Sequence, residues 1–113
     1  MATLFTKIIN REIPAKIVYE NDKVLAFQDL HPQAPHHVLI VPKVEIATIN
    51  DLNRENAHVV GELFLAAKEI AQTLGVEDSG YRVVMNCNKD GGQTVFHLHL
   101  HFLAGREMKW PPG

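Results

Sequence analysis

The chain carries a single cysteine, Cys87, which excludes an internal disulfide framework and suits a reducing, cytoplasmic setting. No apolar run approaches the roughly 20 residues that span a bilayer, so no membrane role is expected. An excess of positive charge is also missing. Lys and Arg number 11 against 13 Asp and Glu, a net charge of −2, which argues against a nucleic-acid binder working by phosphate neutralisation. The opening residues MATLFTKIINRE contain neither a long apolar core nor a small-residue cleavage site, and no secretory leader is expected. Internal repeats, low-complexity tracts and Gly/Ser linkers are lacking too. What is left is 113 residues, 46% of them hydrophobic: one domain over residues 1–113, large enough to bury about two thirds of the surface its unfolded chain exposes. Against that background the histidines stand out. There are seven, at 31, 36, 37, 58, 97, 99 and 101, three of them within five residues. Histidine changes charge near neutral pH, so their positions decide what the chain can do.

Leu4, Phe5, Ile8 and Ile9 are spaced to form one stripe on a short helix over 3–10, with Thr3 as its cap and Pro14 beyond its end. Residues 16–20 and 23–29 read as a hairpin turning at Asn21-Asp22. The prolines of LHPQAPHH impose a loop. The apolar run 37–41 reads as a central strand covered on both faces and closed by Pro42. Over 53–74, Val60, Leu63, Phe64, Ala67, Ile70, Ala71 and Leu74 follow a helical stripe, with Asn53 as cap and Gly75 as stop. Such a helix would run about 33 Å at 1.5 Å per residue, the width of a sheet. Residues 80–86 and 95–103 read as strands either side of a turn-rich KDGGQ loop. Short connections between neighbouring strands favour antiparallel pairing. The expected fold is α+β: a mainly antiparallel five-stranded sheet with a short N-terminal helix and one long helix on a face.

Within His97-Leu98-His99-Leu100-His101-Phe102-Leu103, polar and apolar residues alternate strictly. A strand here sends three imidazoles to one face, about 6.5–7 Å apart, and Leu98, Leu100 and Phe102 to the other. Before it, the two glycines of Asp90-Gly91-Gly92-Gln93-Thr94 let backbone N–H groups approach an anion, and Thr94 adds a hydroxyl. Imidazole can attack phosphorus while a neighbour moves the proton. Two other readings fit the same residues. The row can be a half-exposed polar face, or a Zn²⁺ site built on His-x-His with His37 completing the set.

The order His, apolar, His, apolar, His, apolar, apolar over 97–103 resembles the signature of the histidine triad family at every position. Phe27-Gln28-Asp29-Leu30, Pro32-Gln33-Ala34-Pro35, His37 to Lys43, Gly91-Gly92-Gln93 and the tail Met108 to Gly113 are similar to the nucleotide-binding branch of that family, in order along nearly the whole chain.

The resemblance implies a homodimeric nucleotide hydrolase with no required cofactor and no metal. His99 would be the nucleophile on the α-phosphorus of a purine nucleoside 5′-phosphoramidate, forming a covalent nucleotidyl-histidine that water cleaves. The main chain of His97 would accept from the far nitrogen of His99. His101 would donate to a phosphate oxygen, and His37 would join the proton relay. Asn86, Gly92, Gln93 and Thr94 match phosphate-binding positions; many relatives carry Ser where this chain has Thr94, and the hydroxyl is kept. Asp29 matches a ribose-gripping acid with Leu30 beside it. Leu4, Phe5, Ile8 and Phe27 match an apolar base slot, although at these spacings they read equally as core. Trp110 sits in a tail that reaches across the dimer in similar proteins. His31, His36 and His58 have no place in this scheme, and Cys87 has no assigned chemistry. A dinucleoside polyphosphate hydrolase and a zinc-binding or regulatory interaction protein remain alternatives.

Overall fold

The computed structural model describes residues 2–113. Helix α1 (Leu4–Ile9) starts at Thr3, whose hydroxyl accepts from the Thr6 N–H while the Thr6 hydroxyl accepts from the Thr3 N–H. This reciprocal cap satisfies donors that a free helix end would leave open. Strands β1 (Ile17–Glu20) and β2 (Val24–Gln28) form the expected hairpin. Its turn is locked by Asn21 Oδ1, which accepts from the N–H groups of Lys23 and Val24. Strand β3 (His36–Pro42), helix α2 (His58–Leu74), strand β4 (Tyr81–Val84), the short helix α3 (Asn88–Gly91) and strand β5 (Leu100–Ala104) complete the chain. The five strands lie in the order β1-β2-β3-β5-β4, every neighbouring pair antiparallel, so the α+β expectation holds. The apolar run 37–41 forms the central strand, as its composition requires.

Alternation along the strands splits the sheet into two unlike faces. Val24, Ala26, Val38, Ile40, Leu100 and Phe102 pack with Leu63, Ala66, Ala67, Ile70 and Ala71 of α2 in the main core. Leu25, Phe27, Leu39 and Val41 point the other way and pack with Phe5 and Ile8 of α1. His37 and His101 belong to this second face, because His37 pairs in register with Leu103 and Leu39 with His101. The short helix therefore covers the histidine side of the sheet.

Several features differ from the expectation. Helix α2 begins at His58, not at residue 53, and its 17 residues run about 25 Å. Asn53 does cap, but it caps a separate turn: its Oδ1 accepts from the Glu55 and Asn56 N–H groups. Phe64 is not on the buried stripe; it is 48% exposed and Ala66 takes its place. The buried arc runs from Ala66 through Leu63, Ile70 and Ala67 to Ala71, and Phe64 lies just beyond its Ala71 edge. Helix α3 stands where only a loop was expected, closed by Gly92 in the left-handed region at φ 86°. Finally, β5 starts at Leu100, not at 95. Pro42 would face Leu98 if the β3–β5 register continued, and it has no N–H to give. Leu98 N–H instead donates to the Ile46 carbonyl, leading the chain off the ladder. No described helix is long and apolar enough to cross a membrane.

Candidate active site

The early departure of the chain from β5 changes what the histidine row looks like. Only His101 stands on the strand; His97 and His99 precede it on irregular backbone. The even row of side chains about 7 Å apart is replaced by a cluster in which the His99 and His101 ring centroids lie 5.1 Å apart.

Each ring is oriented by its own partners. His97 is fully buried, its Nε2–H donating to the Pro42 carbonyl at 2.8 Å while Nδ1 meets the Thr3 hydroxyl at 3.4 Å. The proline that ends the ladder thus supplies the acceptor that holds this ring. His99 Nδ1–H donates to the main-chain carbonyl of His97 at 2.7 Å. That bond places the proton on Nδ1 and leaves the Nε2 lone pair open. Phe5 of α1 meets the His99 ring edge-on, centroids 4.9 Å apart at 87°, and limits its rotation.

His37 and His101 form a second pair. The Gln33 N–H donates to His37 Nδ1 at 3.0 Å, so the neutral ring carries its proton on Nε2. That Nε2–H donates to His101 Nδ1 at 2.9 Å, with Asp29 Oδ2 at 3.4 Å beside it. His101 consequently carries its proton on Nε2, as a donor facing out of the pair. One backbone amide thereby sets the tautomers of two rings.

Burial favours the neutral form of all four. His37 titrates below its ordinary value because burial outweighs the attraction of Asp29, and His97 is lowered by burial against its bond to Pro42. His99 is lowered by burial against the bond to His97. His101 is pushed down to about 4 by burial and by its neighbours His99 and His37. At neutral pH the cluster offers an unprotonated ring nitrogen, His99 Nε2, next to an uncharged donor, His101 Nε2–H. This is the donor–acceptor arrangement that attack on a phosphoryl group needs.

Asp29, His37 and His101 place three potential ligand atoms within 4.8 Å of one another. Their hydrogen bonding does not suit a metal ion. A ligating histidine donates from its second nitrogen to an acceptor. The second nitrogen of His37 faces the Gln33 N–H, a donor, so metal on Nε2 would set two N–H groups against each other.

The glycine loop corrects another expectation. The Gly92 and Gln93 N–H groups donate to the carbonyls of Lys89 and Asn88 and are not presented to a ligand. Gln93 is buried, its amide donating to Ala47 and Val95 carbonyls and accepting from the Asn88 N–H. It ties the loop to the body of the protein. Thr94 is exposed at the loop's end and Asn86 is half-buried at its start. Phe5, Ile8 and Phe27 are packed as core beneath α1, whereas Leu4 is exposed and Leu30 is 89% exposed. Trp110 is 81% exposed, its ring under the Arg82 guanidinium at 5.9 Å. His31 and His58 are exposed and His36 lies half-buried on the face opposite His37, all apart from the cluster. The groups that sequence reading did not assign to the site are Thr3, the Pro42 carbonyl and the Gln33 amide. Two of the three act through the main chain, which no side-chain pattern announces.

A family model described as HIT domain matches residues 10–108. An Escherichia coli K12 protein named purine nucleoside phosphoramidase is 48% identical over 94% of this chain and 89% of its own. A Synechocystis protein described as an uncharacterized HIT-like protein is 53% identical over 98% of this chain and 96% of its own. A crystal structure of a HIT family hydrolase from Legionella pneumophila superposes with a TM-score of 0.96 at 51% identity, covering 99% of this chain and 100% of that one.

Proposed function

The chain belongs to the HIT domain family of hydrolases, and from that premise we propose that it cleaves the P–N bond of purine nucleoside 5′-phosphoramidates. The observation that carries the reading is the 2.7 Å bond from His99 Nδ1 to the His97 carbonyl, which leaves Nε2 as a free lone pair beside a donor ring. In the first step His99 Nε2 bonds to the α-phosphorus and the P–N bond breaks. Its electron pair leaves on the amine nitrogen, which takes up a proton from solvent. His101 Nε2–H donates to a phosphate oxygen while His37 holds the His101 tautomer, and the His97 carbonyl stabilises the positive charge that grows on the His99 ring. In the second step water attacks phosphorus, the Nε2–P bond breaks, and the proton that water loses passes to solvent, offsetting the one the amine carried away. The products are a 5′-mononucleotide and an amine.

In this reading Asp29 grips the ribose and Thr94 and Asn86 contact phosphate. Gly92 and Gln93 shape the loop that carries Thr94. The base lies against the Phe5, Ile8 and Phe27 cluster, with Leu4 and Leu30 at its margin. No cofactor or metal takes part. The working form is a homodimer in the cytoplasm. Dimerisation is supported by β4, an edge strand with one neighbour, by the exposed Phe64 and Leu65 on α2, and by the exposed Trp110.

The test is turnover of adenosine 5′-phosphoramidate by wild type and by His99→Ala, with diadenosine polyphosphates in parallel. Loss of the nucleophile is expected to cost several orders of magnitude, each tenfold being about 1.36 kcal/mol of barrier. Equal rates for the two proteins refute the mechanism, and faster turnover of the polyphosphates refutes the substrate.

A further inference from the structure

The geometry points to Arg106 and Gly105 as positioning residues that fix the proton positions of the His37–His101 pair by clamping the loop that carries Gln33. The loop between β2 and β3 is stiffened internally. His31 N–H donates to Asp29 Oδ1 at 2.7 Å, and the Gln33 side chain donates to the His31 carbonyl at 3.0 Å. Those bonds shape the loop, and the Asp29 N–H on the His37 carbonyl at 2.9 Å ties its start to β3. The Gln33–Pro35 stretch is placed by the turn just after β5. Arg106 Nε–H donates to the Gln33 carbonyl at 3.1 Å, and its Nη1 donates to the Glu107 carbonyl at 3.1 Å, which steadies the guanidinium. Gly105, at φ 98°, lies against the Pro35 ring so closely that a Cβ would come within 2.8 Å of it.

Gln33 is therefore held from both sides: its carbonyl by Arg106, its N–H on His37 Nδ1. The same short segment follows the strand that carries His101. One turn thus ties the end of β5 to the amide that keeps the proton of His37 on Nε2, directed at His101 Nδ1. If the loop drifts, Nδ1 of His37 becomes free to take a proton and His101 loses its fixed donor. The groups facing His37 are Asp29 from the loop and His101 from β5, with His99 beyond. Both variants below leave these groups intact.

The experiment records imidazole ¹⁵N–¹H spectra of the full-length protein across pH for wild type, Arg106→Ala and Gly105→Ala. It needs no substrate, so it decides the clamp even if the phosphoramidase reading, on which only the kinetic arm rests, fails. A hydrogen bond of ordinary net strength corresponds to about a fivefold change in population and about 0.7 pH unit. In both variants the Nδ1-protonated form of His37 is expected to rise, and its titration midpoint to move up by about that amount. With a phosphoramidate substrate kcat is expected to fall about fivefold with KM little changed, the acid limb of the profile moving up with His37. Unchanged His37 spectra in both variants overturn the proposal. A shift in Arg106→Ala alone also overturns it, because loss of a nearby charge would then explain the effect without the loop.

Discussion

His97 offers the sharpest test of how the cluster is built. Its ring is fully buried, yet the part of His97 that touches His99 is its carbonyl, which any residue retains. Replacement by Leu keeps an apolar side chain of comparable bulk but removes the donor to Pro42. The Pro42 carbonyl is then left buried without this partner, which costs about 1–3 kcal/mol. The 3.4 Å contact with Thr3 is long and adds little. His97→Leu is thus expected to lose about 2 kcal/mol of stability. His97→Ala adds a cavity beside Phe5 and is expected to lose about 4 kcal/mol. Urea unfolding followed by far-UV circular dichroism measures both; Trp110, exposed in the tail, is a poor fluorescence reporter of the core. At temperatures where the variants stay folded, His97→Leu is expected to keep far more activity than His99→Ala. Unchanged stability in His97→Leu would refute the assigned role of the Pro42 bond. A loss of kcat as deep as that of His99→Ala would show that the ring itself takes part in the chemistry.

Two further expectations concern acid and the glycine loop. His37, His97, His99 and His101 are neutral in the fold and titrate below their ordinary values, His101 at about 4. Below about pH 6.5 the unfolded chain takes up protons that the native state refuses, so stability is full above that value and falls as pH drops from there toward 4. Urea midpoints at pH 7.5, 6 and 5 should decline in that order, and a flat series would contradict the neutral cluster. Gln93→Ala frees three main-chain groups and is expected to cost about 3 kcal/mol. Gln93→Glu should be worse near neutral pH, since a carboxylate would face the Ala47 and Val95 carbonyls, and thermal melts that rank it above Ala would refute this.

Much of the architecture was legible because hydrophobic periodicity records burial. The apolar run at 37–41 reads as a strand covered on both faces, and the α2 stripe as a face turned to a sheet. The start of α2 is not legible in the sequence because Asn53 is a good cap for either a helix or a turn, and local chemistry does not choose between them. Phe64 fits the inward stripe by spacing alone. The helix is rolled so that the buried arc reaches Ala66 and stops at Ala71, a tertiary choice that spacing does not encode.

The sequence by itself determined that a strictly alternating His/apolar segment, a glycine loop and a central strand bearing His37 occur together, and with them the family and the α+β class. The tertiary structure decided how the histidines meet. Pro42 has no N–H, so β5 cannot begin before Leu100, and His97 and His99 fold off the ladder into a cluster instead of a row. The Gln33 amide, held by the turn after β5, then fixes where the protons of His37 and His101 reside. Main-chain donors and acceptors are the same for nearly every residue type, so the pattern of side chains names the participants while only the folded backbone assigns their protons.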